Sequence, residues 1–155
     1  MTLFAPQPLT LRLSVELVPA STWYENVRSE VSQALWKQLK QRTAREAGYR
    51  CEICSGRGPR WPVECHERWE YDETTRVQRL VGLVSLCPAC HEVKHFGFAA
   101  SQGHAERALR TLMRVNLISR DQAQAHVEEA FILWQKRSAM PWTVDLSWLH
   151  EFIPE

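Results

Sequence analysis

Four of the five cysteines stand as two C-x-x-C pairs, Cys51/Cys54 and Cys87/Cys90, and this spacing constrains the fold more than any other feature. Each pair forms a tight turn that aims two thiolates at one point. Two such turns complete the four ligands of a tetrahedral zinc site. A disulfide framework is the alternative, but it would leave a fifth cysteine, Cys65, over. Residues 1–6 also lack the basic start of a secretory signal, so an oxidising compartment is not indicated. The expectation is a cytoplasmic protein whose cysteines are reduced and bound to metal.

The second pair is followed at once by His91 and then His95. On a helix, positions i and i+4 share a face, so both imidazoles can reach one ion. Two solvated histidines on a polar helix are the plain alternative. His66, however, sits after an apparent strand. Three imidazoles from a strand end and a helix suit a metal that keeps an open position, which is a catalytic rather than a structural arrangement.

The rest of the chain frames this stretch. With 155 residues, 45% of them hydrophobic and seven tryptophans, it can bury a core. The chain reads as one compact domain in three parts: a strand and helix over 1–48, the cysteine–histidine module over 49–98, and a helical extension over 99–155. Strict alternation over 9–17 predicts a half-buried strand. A T-x-x-E capping box at Thr22 and Glu25 predicts a short helix from Trp23, and a longer helix is expected over 29–47, ended by Gly48. Strands are expected over 61–66, with an extension to 71, and over 77–86, with Gly82 as a possible bulge. A helix from Pro88 to about Phe96 is expected to stop at Gly97. Two further helices cover 104–116 and 119–138, the second opened by the capping box of Ser119 and Gln122. Residues 141–149 alternate like an edge strand. His126 reads as a packed core histidine, and Cys65 as a small apolar strand residue with metal ligation as its alternative.

A formal charge of +1 does not announce a nucleic-acid binder, so any such binding must come from a local patch. Lys37, Lys40 and Arg45 on the longer helix, with Arg57 and Arg60 beside the first C-x-x-C pair, are the candidates for phosphate contacts. A solvated charged face is the bland reading of the same residues. No run of apolar residues is long enough to span a membrane.

The order C-x-x-C, Glu64-x-His66, then Leu86-Cys87-x-x-Cys90-His91-x-x-x-His95 resembles the HNH endonucleases, also called His-Me finger or ββα-metal nucleases, over roughly residues 49–98. The resemblance implies an α+β fold with a ββα-metal core and zinc knuckles. It implies metal-dependent hydrolysis of phosphodiester bonds in DNA, with a second divalent ion (Mg²⁺, Mn²⁺, Ni²⁺ or Zn²⁺) beside the structural zinc. In the register where Glu64 matches the family's glutamate and His66 its metal ligand, Glu67 falls at the position of the general-base histidine. The family's middle asparagine falls at Gly82. Three accounts of these departures stay open: Glu67 is itself the base; His66 is the base and Cys65 or Glu64 approaches the metal; or the module binds nucleic acid or a protein without catalysing.

Overall fold

The computed structural model describes residues 9–152, and the start at residues 1–6 lies outside them. The architecture is mixed α+β. Its centre is an antiparallel hairpin of β1 (Glu64–Asp72) and β2 (Val77–Leu86), extended by a short parallel β3 (Thr143–Asp145) on the far side of β2. Among the described residues, no strand pairs with the other edge of β1. Asp72 builds the reversal, its carboxylate accepting from the N–H groups of Thr74 and Thr75 at 2.9 and 3.0 Å. The register runs Glu64↔Leu86 to Arg68↔Gly82 and then skips to Trp69↔Leu80. Val81 is thus the extra residue of a bulge beside Gly82, which increases the local twist.

Helices cover both faces of this sheet. α1 (Val27–Glu30) and α2 (Gln33–Glu46) lie on one side. There Val27, Leu39, Leu80 and Leu149 are buried among Trp36, Trp69 and Trp148. On the other side stand α3 (Pro88–Lys94), α4 (Phe96–Ser101), α5 (Ala105–Asn116) and α6 (Arg120–Ser138). α3 packs mainly against α5, around Leu86, Val93, Leu112 and Leu13. Each such side chain contributes about 1.5–3 kcal/mol by leaving water. Ser119 and Gln122 cap α6 reciprocally, as the sequence predicts.

Residues 9–17 do not form the expected strand. Their alternation is real, since Leu13 and Val15 are buried while Arg12 and Glu16 are exposed. Their backbone partners, however, are helix side chains rather than a sheet edge. Asn116 Oδ1 accepts from Arg12 N and Leu13 N, and its Nδ2 donates to Leu13 O at 2.8 Å. His126 Nε2 accepts from Val15 N at 2.9 Å, and Trp134 Nε1 donates to Val18 O at 3.1 Å. His126 is thus packed, with its proton affinity lowered by burial.

Three smaller expectations also change. The capping box falls at Asn26 and Ser29 instead of Thr22 and Glu25, so the short helix begins at Val27. Gly97 does not stop a helix: α3 breaks at His95 and the chain resumes helix as α4 through it. The alternating stretch 141–149 yields only β3, followed by a 3₁₀ turn at Ser147–Glu151. No helix among the described residues is long and apolar enough to cross a membrane.

Candidate functional site

Two clusters of ligand-type side chains sit at the two ends of α3. At its start, the Sγ atoms of Cys51, Cys54, Cys87 and Cys90 all lie within 4.8 Å of one another. Cys54 and Cys87 Sγ are 3.6 Å apart, close to the ~3.8 Å edge of a tetrahedron with zinc–sulfur bonds of about 2.3 Å. These four cysteines fit a zinc ion.

Local hydrogen bonds place them. Cys51 N donates to Gly56 O and Ser55 N to Cys51 O, both at 2.9 Å, closing the first turn. Amides of Cys54, Gly56 and Cys90 point at the sulfurs of Cys51, Cys54 and Cys87 at 3.4–3.5 Å. Cys87 is also the N-cap of α3, and Pro88 follows at the first helical position, where a missing N–H costs nothing. Glu52 ties the turn to β2: its N–H donates to Ser85 O at 2.9 Å and its carboxylate accepts from Ser85 N at 2.6 Å. A thiol hydrogen bond from Cys90 pulls Cys51 down to about 4, and that same bond, with burial, holds Cys90 up. Metal binding would release the remaining thiol protons.

At the other end, ring nitrogens of His66, His91 and His95 also lie within 4.8 Å of one another. The ring centroids are 4.6, 5.1 and 5.2 Å apart, with the rings edge to face. His91 Nε2 and His95 Nε2 are separated by 3.1 Å, near the roughly 3.3 Å edge expected when zinc–nitrogen bonds are about 2.0–2.1 Å. The break of α3 keeps the His95 N to His91 O bond at 3.2 Å while setting His95 outside regular helix geometry. Glu64 Oε2 lies 2.5 Å from His91 Nδ1 and its Oε1 accepts from Trp61 Nε1 at 3.0 Å. A carboxylate at Nδ1 keeps the proton there and turns the Nε2 lone pair toward the other two rings. Burial, helped by the crowding of the three imidazoles and by Lys94, lowers His66 to about 2 and His95 to about 4. Both are therefore neutral at pH 7, the form that ligates metal.

The three imidazoles line an open cleft of about 970 Å³ that β1 borders through Glu64, His66 and Trp69. Glu67 lines the same cleft. Strand alternation turns it to the side opposite His66, where its Oε1 accepts from Val27 N at 2.9 Å. Burial raises its pKa, against the lowering effect of that bond. Cys65 is half-buried near Thr43 and is pushed up to about 11 by burial. It stands apart from both ligand clusters and is a packing residue. A Cβ on Gly82 meets nothing within 4 Å.

Lys37, Lys40, Arg45, Arg57 and Arg60 are all exposed, but none of them lines the cleft. The Lys or Arg side chain that does is Arg28, which no sequence pattern singles out. Trp23, Tyr24 and Phe98 also border it and are 49%, 84% and 60% exposed. Their only sequence signal was large aromatics near turns. No protein-family model matches this sequence, and neither a curated protein nor a solved structure matches it.

Proposed function

We propose that this chain is a metal-dependent endonuclease of the HNH type that hydrolyses phosphodiester bonds in DNA. The observation that carries the reading is the convergence of His66, His91 and His95 on one point in an open cleft, beside a separate four-cysteine cluster. The order hairpin then helix, with a cluster at each end of α3, is the order of a ββα-metal core. In this reading Cys51, Cys54, Cys87 and Cys90 hold a structural zinc, and reduced thiolates suit the cytoplasm. His66, His91 and His95 hold a second divalent ion, which when bound supplies Lewis-acid stabilisation of the phosphate and leaving oxygen.

The chain's own groups do the rest. Glu64 orients His91 through Nδ1. Glu67 takes the proton of the attacking water. Burial makes it a stronger base than an exposed carboxylate, and the Val27 N–H holds one of its oxygens in place. Arg28 offers charge to the phosphates, and Trp23, Tyr24 and Phe98 offer faces on which bases stack.

The test is incubation of purified protein with supercoiled plasmid and each of Mg²⁺, Mn²⁺, Ni²⁺ and Zn²⁺. Nicked or linear product that disappears in His95→Ala is the expected result. Absence of product with every metal would overturn the activity. The competing reading is a binding module without catalysis. It is favoured by the engagement of Glu67 with Val27 N and by glycine at position 82, and it predicts DNA or protein binding without cleavage.

A further inference from the structure

On the far side of Pro88 from the histidine cleft lies a second recess, of about 540 Å³. Three arginines from distant parts of the chain meet there: Arg12 from the N-terminal segment, Arg57 from the first cysteine turn and Arg114 from α5. The residues lining it include no aspartate or glutamate. Among the described residues none of the three arginines forms an ion pair, whereas Arg107 and Arg110 on the same helix as Arg114 are paired with Glu92 and Glu106. Two of the guanidiniums are fixed by backbone carbonyls. Arg12 Nη2 donates to Ile53 O, and Arg57 Nη2 donates to Gly48 O at 3.3 Å. Each guanidinium keeps further N–H groups outside these bonds. The wall itself depends on glycine. A Cβ on Gly58 would come within 2.7 Å of Pro88 Cδ, so only glycine lets this loop close on the start of α3.

We infer that Arg12, Arg57 and Arg114 form a phosphate pocket that takes one backbone phosphate of a nucleic-acid strand running from the histidine cleft. Guanidiniums match phosphate oxygens with paired N–H donors. Cys54 and Cys87 of the four-cysteine cluster also line the recess, and its three guanidiniums outweigh the negative charge of a zinc ion with four thiolates, so the recess favours an anion. Pro88 borders both the recess and the cleft. A helix rise of about 1.5 Å per residue puts His91 and His95 roughly 4.5 and 10 Å beyond it. Successive phosphates of one strand lie farther apart than the ~3.4 Å axial rise, so that span corresponds to about one or two phosphate-to-phosphate steps. The pocket therefore holds a phosphate flanking the one to be cut. This substrate rests on the nuclease reading; the anion site itself does not. The rival explanation is that the arginines only balance the negative charge of a zinc ion with four thiolates.

Two measurements on the full, zinc-loaded chain test the pocket. First, inorganic phosphate is titrated while the Arg Nε–H NMR signals are followed. Saturable shifts are expected in the native chain and are lost in Arg12→Gln/Arg114→Gln. No saturable shift would overturn the pocket whatever the nuclease assay shows. Second, binding of a labelled DNA duplex is measured against salt without cleavage. One shared phosphate predicts that the slope of log K against log salt falls by about 0.9 in total for the double variant, and little further than for either single one. A fall of about 1.8 would mean two independent surface contacts and would overturn the single site. An unchanged slope with reduced zinc content would establish the charge-balancing rival. Phosphate shifts in a chain that binds no nucleic acid would overturn the assigned substrate and, separately, the nuclease reading.

Discussion

The two ligand clusters share one helix but are built by different rules. The cysteine cluster is held by turns: the sulfurs of Cys51, Cys54 and Cys87 each have an amide two or three residues on that points at them, and Cys51, Cys87 and Cys90 are buried. The histidine cluster is held by tertiary structure. His66 comes from β1, His91 and His95 from α3, and Glu64 braces His91 across the gap between them. The first brings four thiol ligands together, which completes a tetrahedron, although Cys54 and Cys87 also border the recess beside Pro88. The second lines a cleft. A closed set of thiolates stabilises a fold, and an open set of imidazoles leaves a coordination position for chemistry.

That difference predicts that breaking the first cluster costs the fold and breaking the second only function. Cys87→Ala is expected to have the largest effect. It removes a zinc ligand together with the N-cap of α3, and structural zinc contributes on the order of 10 kcal/mol to small domains. Loss of bound zinc and of cooperative unfolding by circular dichroism would check this; a native-like melting curve in the variant would refute it. His95→Ala should instead leave the four-cysteine zinc and the fold intact. It should remove one metal per chain by elemental analysis and abolish cleavage.

The same contrast explains how much was legible in the sequence. C-x-x-C turns are local, so Cys51, Cys54, Cys87 and Cys90 could be grouped from spacing alone, and His91 with His95 from the helical period. The convergence of His66 on them depends on β1 pairing with β2, which a hairpin reading supplies. Trp23 and Tyr24 reach the cleft from an irregular stretch before α1, and Arg28 from the four-residue α1 itself, both too short or irregular for any periodicity to be read. The N-terminal segment misled because alternation reports which side chains are buried, not what takes up the backbone groups. There Asn116 and His126 replaced a partner strand. The bulge at Val81 was legible only through its neighbour, Gly82.

Within the cleft, Glu67→Gln is expected to lower cleavage by a factor on the order of 10². The amide oxygen of glutamine can still accept from Val27 N–H, so the substitution removes the carboxylate's capacity to take a proton while keeping the contact. Single-turnover rates on plasmid check this, and full activity in the variant would assign the base role to His66. A smaller effect concerns pH. His66 has a folded pKa of about 2, below its unfolded value near 6.5, so the unfolded chain takes up a proton that the native one refuses. Stability from this group is complete above about pH 6.5 and is lost as pH falls toward 2. At pH 5 the loss is about 2 kcal/mol. Urea midpoints at pH 7.5 and 5.0 should show it, and His66→Asn should flatten the difference relative to the native chain.

The smallest effect belongs to the brace behind the histidines. Glu64 touches no ligand position itself; it fixes the tautomer and tilt of His91 while Trp61 holds its other oxygen. Carboxylates in this role typically contribute 10–100-fold to metal affinity. Glu64→Gln keeps a weaker acceptor and should sit at the lower end, about tenfold. Trp61→Phe, which frees the carboxylate without removing it, should cost less. Cobalt titration of chains whose cysteine cluster already holds zinc reads this directly, because a visible band reports the imidazole set alone. A tenfold weaker cobalt affinity in Glu64→Gln, with the thiolate zinc unmoved, would show that the two clusters are independently tuned. Equal cobalt affinity in the native and Glu64→Gln chains would mean that β1 and α3 position His91 without help, and that the open cluster is as rigidly built as the closed one.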